Sequence, residues 1–190
     1  MLSGCKAITI GRNEDQTRFL VKLAQKCGFT LIENAMTGDV PSPRTLVSFV
    51  LVHYGVGEAL LDAVTRSIRG GDRQVRFSPI VVIADDCPFE TVLRYVHIGV
   101  DDVVSLPEKK EVLIQRLGTQ LWAEHVYVET ADYFGPDRRR LEIDSANDRR
   151  MGPSGHARFT IQRLPDIGTR IVRHQIFAAP NFAPKVHLVG

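Results

Sequence analysis

A doubly wound α/β domain built on a parallel sheet is the fold class this sequence predicts. Two continuous apolar runs, Phe49 to Val52 and Ile80 to Ala84, are the first observation. Unbroken branched residues of strand length read as strands covered on both faces. The second observation is what separates them: an apolar-periodic segment from Ala59 to Ile68, within about thirty residues, the spacing of a strand, a helix and a parallel strand. The third is the placement of glycine, because Gly28, Gly70 and Gly99 each follow the last apolar residue of a helical stripe and so read as helix stops.

Taken in order, Lys6 to Gly11 is a first short apolar strand and Arg12 to Asp15 the turn above it. Asn13 caps the helix that follows, with Gln16 completing a capping box, and Phe19, Leu20, Leu23 and Ala24 share one helical face. Phe29 to Glu33 is a second strand, and residues 34–45, with Gly38, Pro41 and Pro43, read as an irregular connection. The third strand, Phe49 to Val52, is closed by His53, Tyr54 and Gly55, and the helix after it carries the stripe Leu60, Leu61, Val64 and Ile68. Pro79 stands at the first position of the fourth strand, where a missing donor is tolerated. Asp85 and Asp86 are expected to cap the next helix, with Pro88 in its first turn and Gly99 at its end. A lesser reading has them gather a divalent cation with Glu14 or Asp15. Val103 to Leu106 is the fifth strand, broken by Pro107, and Lys109 to about Val128 is expected to be one last helix burying Val112, Leu113, Leu117, Leu121 and Trp122.

The chain has 190 residues, 44% of them hydrophobic, enough for one good core and an appendage. Its opening, MLSGCKAITI, lacks the long apolar region of a secretory signal, and no apolar run approaches membrane-spanning length. A soluble cytoplasmic protein without membrane attachment is the expectation. Cys5, Cys27 and Cys87 are odd in number and far apart, which argues against disulfide stapling and a cysteine metal site. His97, His125, His156, His174 and His187 show no ligand-like spacing, so neither metal nor cofactor is expected.

From Ala131 the pattern changes. Residues 1–130 carry 14 Lys or Arg against 16 Asp or Glu, whereas residues 131–190 carry 10 against 6; the basic character belongs to the tail. The reading is a domain over 1–130 and an Arg-rich, mostly irregular extension over 131–190. Asp137-Arg138-Arg139 and Asp148-Arg149-Arg150 repeat eleven residues apart, each beside a Gly-Pro pair.

The segments GFTLIENA, FVLVHYG, PIVVIADD and IGVDDVVSLPE stand in the order, and at nearly the separations, of a CheY-like receiver domain of two-component signalling, which residues 1–128 resemble. Gly99-Val100-Asp101-Asp102-Val103 followed by Pro107 is the most specific piece. The resemblance implies a three-layer, flavodoxin-like five-stranded sheet of order 2-1-3-4-5. It also implies a phosphoryl-accepting Asp after strand three, an acidic pair after strand one for Mg²⁺, a hydroxyl on strand four and a Lys after strand five. At those positions this chain has His53, or Tyr54 if the register slips by one, then Arg12 and Asn13, Ala84 and Leu106. Holding Mg²⁺ and a transferring phosphoryl group needs converging hard oxygens and a cation. The expectation is therefore a pseudo-receiver with no catalytic residues, a signalling protein and not an enzyme.

The tail resembles Phe-Gly-Pro-Asp-Arg-Arg-Arg segments attached to receiver-like proteins of alphaproteobacteria. Arginine forks pair with carboxylates or phosphates, and Tyr133 and Phe134 beside Asp137, Arg138, Arg139, Arg140, Arg149 and Arg150 have the composition of an interface anchor. A protein partner, or the chain's own acidic surface, is the first target in order. A phosphate-bearing ligand such as a cyclic dinucleotide is the second, although the D/N-x-S-x-x-G element of PilZ domains is missing around Ser145. Nucleic acid is third, since Asp137, Glu142 and Asp148 interrupt the basic field, and a solvated tail remains. A homodimer is left open, and the helix after strand four with the fifth strand is the face expected to meet a partner.

Overall fold

The computed structural model of the protein describes residues 2–36, 47–137 and 155–177. Strands and helices alternate as β1 (Lys6–Gly11), α1 (Glu14–Cys27), β2 (Leu31–Met36), β3 (Ser48–His53), α2 (Glu58–Arg69), β4 (Ile80–Asp85), α3 (Phe89–Ile98), β5 (Asp102–Leu106) and α4 (Lys110–Gly118). The five strands form one parallel sheet of order β2-β1-β3-β4-β5, as the fold reading anticipates. Its apolar runs are continuous because both faces are covered. Ala7, Phe49, Leu51, Val81 and Ile83 lie in the cluster with Leu20, Leu113 and Leu117 of α1 and α4. Ile8, Val50, Val52, Ile80 and Val82 alternate with them and lie in the cluster with Leu61, Val64 and Tyr95 of α2 and α3.

The helix ends follow local chemistry. Asn13 caps α1 by accepting from the Gln16 amide at 3.0 Å, while the Gln16 side chain accepts from the Arg12 amide at 2.8 Å, one residue before the partner a standard capping box would use. Gly28 and Gly99 end α1 and α3 at φ 97° and 108°, the left-handed conformation glycine tolerates best. The N-cap of α3 is Pro88 and no side chain caps it, so Asp85 and Asp86 do not have their expected role. The irregular connection around Gly38, Pro41 and Pro43 lies outside the described residues.

The chain departs from expectation after α4. The last helix stops at Gly118, and the residues expected to continue it form β6 (Glu124–Glu129). Trp122, with φ 66°, turns the chain there and is exposed, not buried. Beyond it, Tyr127 and Glu129 are buried and alternate with half-buried Val126 and Val128, a period of two that a helix cannot satisfy. The stretch expected to be irregular adds β7 (Phe134–Pro136), β8 (His156–Leu164) and β9 (Gly168–Phe177). They pair antiparallel with β6 in a second sheet of order β7-β6-β8-β9. Residue 130 thus falls in the β6–β7 turn, inside this sheet. In β8, Ala157, Phe159, Ile161 and Arg163 are buried and alternate with half-buried His156, Arg158, Thr160 and Gln162.

The second sheet packs on the connection between α2 and β4, with Phe77 among Tyr127, Ala157, Phe159 and Ile161. Beneath lies a buried ionic network. Arg163 has no exposed surface and Asp101 exposes 4% of its side chain, and the two pair at 2.9 Å. Arg163 also donates to the Phe77 carbonyl at 2.8 Å, to Gln120 Oε1 at 2.9 Å and to the Tyr127 hydroxyl. Tyr127 in turn donates to Asp101. The other Asp101 oxygen accepts from Arg69 at 2.6 Å and from the Ile80 amide at 2.8 Å. Arg69 donates further to the carbonyls of Arg76, Ser78 and Gly99. Burial alone would push the Asp101 carboxyl up, but Arg69, Arg163 and the Tyr127 hydroxyl outweigh it and hold it below the usual carboxylate range.

Replacing Arg163 with Met leaves Asp101 buried with one of its two guanidinium partners lost, which is expected to cost about 3–5 kcal/mol, read from the urea midpoint. Because Asp101 titrates lower in the folded chain than unfolded, its contribution is complete above about pH 4 and is lost as pH falls through the folded value. Asp101→Asn should therefore be less stable at neutral pH and show a shallower loss of stability in acid.

Candidate functional site

The carboxyl ends of parallel strands share one edge of a sheet, and here that edge gathers the positions singled out in the sequence. Arg12 and Asn13 follow β1, His53 ends β3, Ala84 and Asp85 close β4, and Leu106 ends β5. The register sets His53 opposite Ile83 and Asp85 opposite Leu106.

Each of these residues is engaged in local structure. The Arg12 amide and the Asn13 side chain serve the first turn of α1. Glu14 and Asp15, displaced onto that helix, both lie 3.6 Å from Arg18. The His53 ring stacks on Tyr54, with centroids 4.9 Å apart, and meets Phe19 edge-on at 5.8 Å. Its Nδ1 accepts from the Gly55 amide at 3.0 Å, which leaves Nε2 to carry the proton of a neutral ring. Burial lowers the His53 pKa and the charge of Asp85 only partly restores it. The neighbouring Asp85 carboxylate raises the pKa of the Tyr54 phenol. Ala84 is buried and offers no hydroxyl. Leu106 lines a groove of about 650 Å³ with Phe19, Leu23, Pro107 and Leu113.

Among the described residues no group of three His, Cys, Asp or Glu side chains is placed to hold a metal ion. Beside exposed Arg12, Asp85 and Asp86, the edge presents aromatic rings. Phe19, Tyr54 and Phe89 are exposed, Phe89 by 60%, and they stand on the segments leaving β1, β3 and β4.

The tail residues divide. Arg138, Arg139, Arg140, Arg149 and Arg150 lie outside the described residues. Phe134, expected to anchor a partner, is turned inward: its ring lies 5.4 Å from Phe77 and 6.0 Å from Phe159, beneath the Arg76 guanidinium at 3.8 Å. The reason is sheet pairing, since Phe134 opposes Glu129 in β7 and so joins the buried side of β6. Tyr133 donates its hydroxyl to the Pro136 carbonyl at 3.0 Å, and Asp137 stands 3.8 Å from Arg158.

Sequence reasoning missed Arg69, Arg76, Asp101, Glu129 and Arg163. Arg76 and Glu129 are both buried and 3.5 Å apart, and they line a cleft of about 560 Å³ with Thr65, Arg69, Tyr133 and Phe134. Burial lowers the Arg76 pKa more than Glu129 restores it. One signal was available: Arg163 falls in the same alternating row as Ala157, Phe159 and Ile161.

No family model and no curated protein matches the chain. Among solved structures it is similar to a response regulator receiver protein from Pseudoalteromonas atlantica, at 16% identity and a TM-score of 0.43, over 60% of this chain and 94% of that one. A response regulator receiver domain from Rhodospirillum rubrum is similar at 17% identity and a TM-score of 0.43, over 60% and 90%. So is the signal receiver domain of a signal transduction histidine kinase from Syntrophus aciditrophicus, at 17% and 0.42, over 59% and 88%.

The His53 ring is expected to titrate below the ordinary value of about 6.5 when followed by NMR. Asp85→Asn should lower it further, because it removes the one charge that favours the imidazolium.

Proposed function

We propose that the protein is a cytoplasmic, receiver-like signalling adaptor that acts through protein–protein contacts, without phosphorylation and without catalysis. The observation that carries this reading is the strand-end edge. Where phosphoryl chemistry would need an acidic pair, an acceptor carboxylate, a hydroxyl and an amine, this chain has a helix cap, a neutral imidazole, a methyl group and a leucine. Those residues support recognition better than group transfer. Exposed Phe19 in the Leu106 groove, with exposed Tyr54 and Phe89 on the segments leaving β3 and β4, supplies a rim of aromatic anchors with little side-chain entropy to lose, the composition that dominates protein interfaces.

Two measurements test it. The full chain incubated with Mg²⁺ and acetyl phosphate should keep its intact mass; stable gain of a phosphoryl group at Asp15, Asp85 or Asp86 would overturn the reading. A protein retained by the full chain should be lost, by about tenfold in affinity or more, when Phe19 and Phe89 are both changed to Ala with the circular dichroism unchanged. Retention that ignores both substitutions removes the rim from the proposal.

A further inference from the structure

The cleft of about 560 Å³ between the end of α2 and the β6–β7 turn has the volume of a small-molecule site and plays no part in the strand-end edge. The interior around it is under-paired. Among the described residues six buried side-chain atoms have no hydrogen-bond partner. Four of them belong to residues that line this cleft: Thr65 Oγ1, Arg69 Nε, Arg76 Nε and Glu129 Oε2. Each of those residues is less than a tenth exposed. Buried polar groups are nearly always partnered in folded chains, so four around one cleft call for an explanation.

Their chemistry narrows what would pair them. Two are N–H donors, one is a carboxylate acceptor and one is a hydroxyl that serves as either, so an ion of one sign would satisfy only part of the set. The arginines and carboxylates of the lining also balance, Arg66, Arg69 and Arg76 against Asp62, Glu129 and Asp132, and their summed charge selects no ion. The Arg76–Glu129 pair is the loose one. Its atoms are 3.5 Å apart, against 2.6 Å for Arg69–Asp101 and 2.9 Å for Arg163–Asp101. A contact that long is a weak hydrogen bond; it leaves the guanidinium short of acceptors and the carboxylate short of donors. Tyr133 and Phe134 complete the lining with aromatic rings, which suit a flat ligand.

We propose that this cleft binds a neutral planar heterocycle with a carbonyl beside a ring N–H, the lactam edge of guanine or uracil, bridging Arg76 and Glu129. The carbonyl accepts from Arg76 and the ring N–H donates to Glu129, so one long contact is exchanged for two close ones. The Thr65 hydroxyl meets a further polar atom of the ring. The cleft is separate from the strand-end rim, so the outcome leaves the adaptor reading where it stands.

Isothermal titration of the full chain with guanosine and with uridine tests the proposal. At least one should bind. Its ring-methylated form, 1-methylguanosine or 3-methyluridine, lacks the N–H and should bind about tenfold more weakly or worse, because Glu129 is then left unpaired. Thr65→Val removes an unpartnered hydroxyl at nearly constant shape. Without nucleoside it should leave the thermal transition unchanged or raised, since no hydrogen bond is lost, and it should weaken the nucleoside by about fivefold. Failure of both nucleosides to bind overturns the proposal, whether water or the chain's own residues 138–154 occupy the cleft. Binding that ignores ring methylation, or that survives Thr65→Val undiminished, overturns it too. So does a lowered transition in Thr65→Val, which would show that the hydroxyl already has a partner.

Discussion

The buried carboxylate of Asp101 is the constraint on which the relation of the two sheets depends. It sits where the chain enters β5 and is met by Arg69 from the end of α2, by the Ile80 amide at the start of β4, by Tyr127 from β6 and by Arg163 from β8. Two guanidinium groups around one carboxylate leave a net positive charge in a dry interior, a costly arrangement unless every donor is directed. Here the surplus charge is spread over the carbonyls of Phe77, Arg76, Ser78 and Gly99. Those carbonyls belong to loops at the amino edge of the parallel sheet, so the network satisfies backbone groups that the sheet leaves unpaired.

Aromatic rings complete the environment. Both Arg69 and Arg163 lie over the Tyr127 ring, at 5.3 and 5.6 Å from its centroid, and Arg76 covers Phe134. A guanidinium is weakly hydrated and stacks well on such faces, which is why arginine, and not lysine, fills these positions. Keeping water from the Asp101 pair strengthens each of its hydrogen bonds. It also makes the pieces interdependent: loosening the Phe77, Tyr127, Phe134 and Phe159 cluster would expose the ions, and removing an ion would leave the cluster above a bare charge.

The parallel sheet was legible because its signals are local and redundant. Continuous runs such as Phe49 to Val52, stripes such as Leu61, Val64 and Ile68, and left-handed stops at Gly28 and Gly99 each point to the same element. The second sheet was illegible for a physical reason. Its inward rows carry Glu129 and Arg163 where an apolar residue would complete the alternation, so period two reads as charge scatter until the buried partner is known. Asp101 shows the same limit. In sequence it is half of an Asp-Asp pair, and nothing local says that one carboxylate turns inward while Asp102 pairs with Arg116. The strand-end edge lay between these cases: strand order places His53, Ala84 and Leu106 together, but the edge-on contact of His53 with Phe19 depends on a neighbour distant in the chain.

The two ends of the parallel sheet are held differently. The amino edge is closed by the second sheet and its ionic network, where any movement would strand a charge, so it is poorly suited to switching. Among the described residues the carboxyl edge has no comparable lock. Its residues are held by single hydrogen bonds, such as that from the Gly55 amide to His53, and by ring contacts among Phe19, His53 and Tyr54, each worth on the order of 1 kcal/mol. A surface held that lightly can remodel around a partner at small cost, while the network behind it keeps the scaffold fixed. The same strands thus run from a locked ionic network at one end to lightly held side chains at the other.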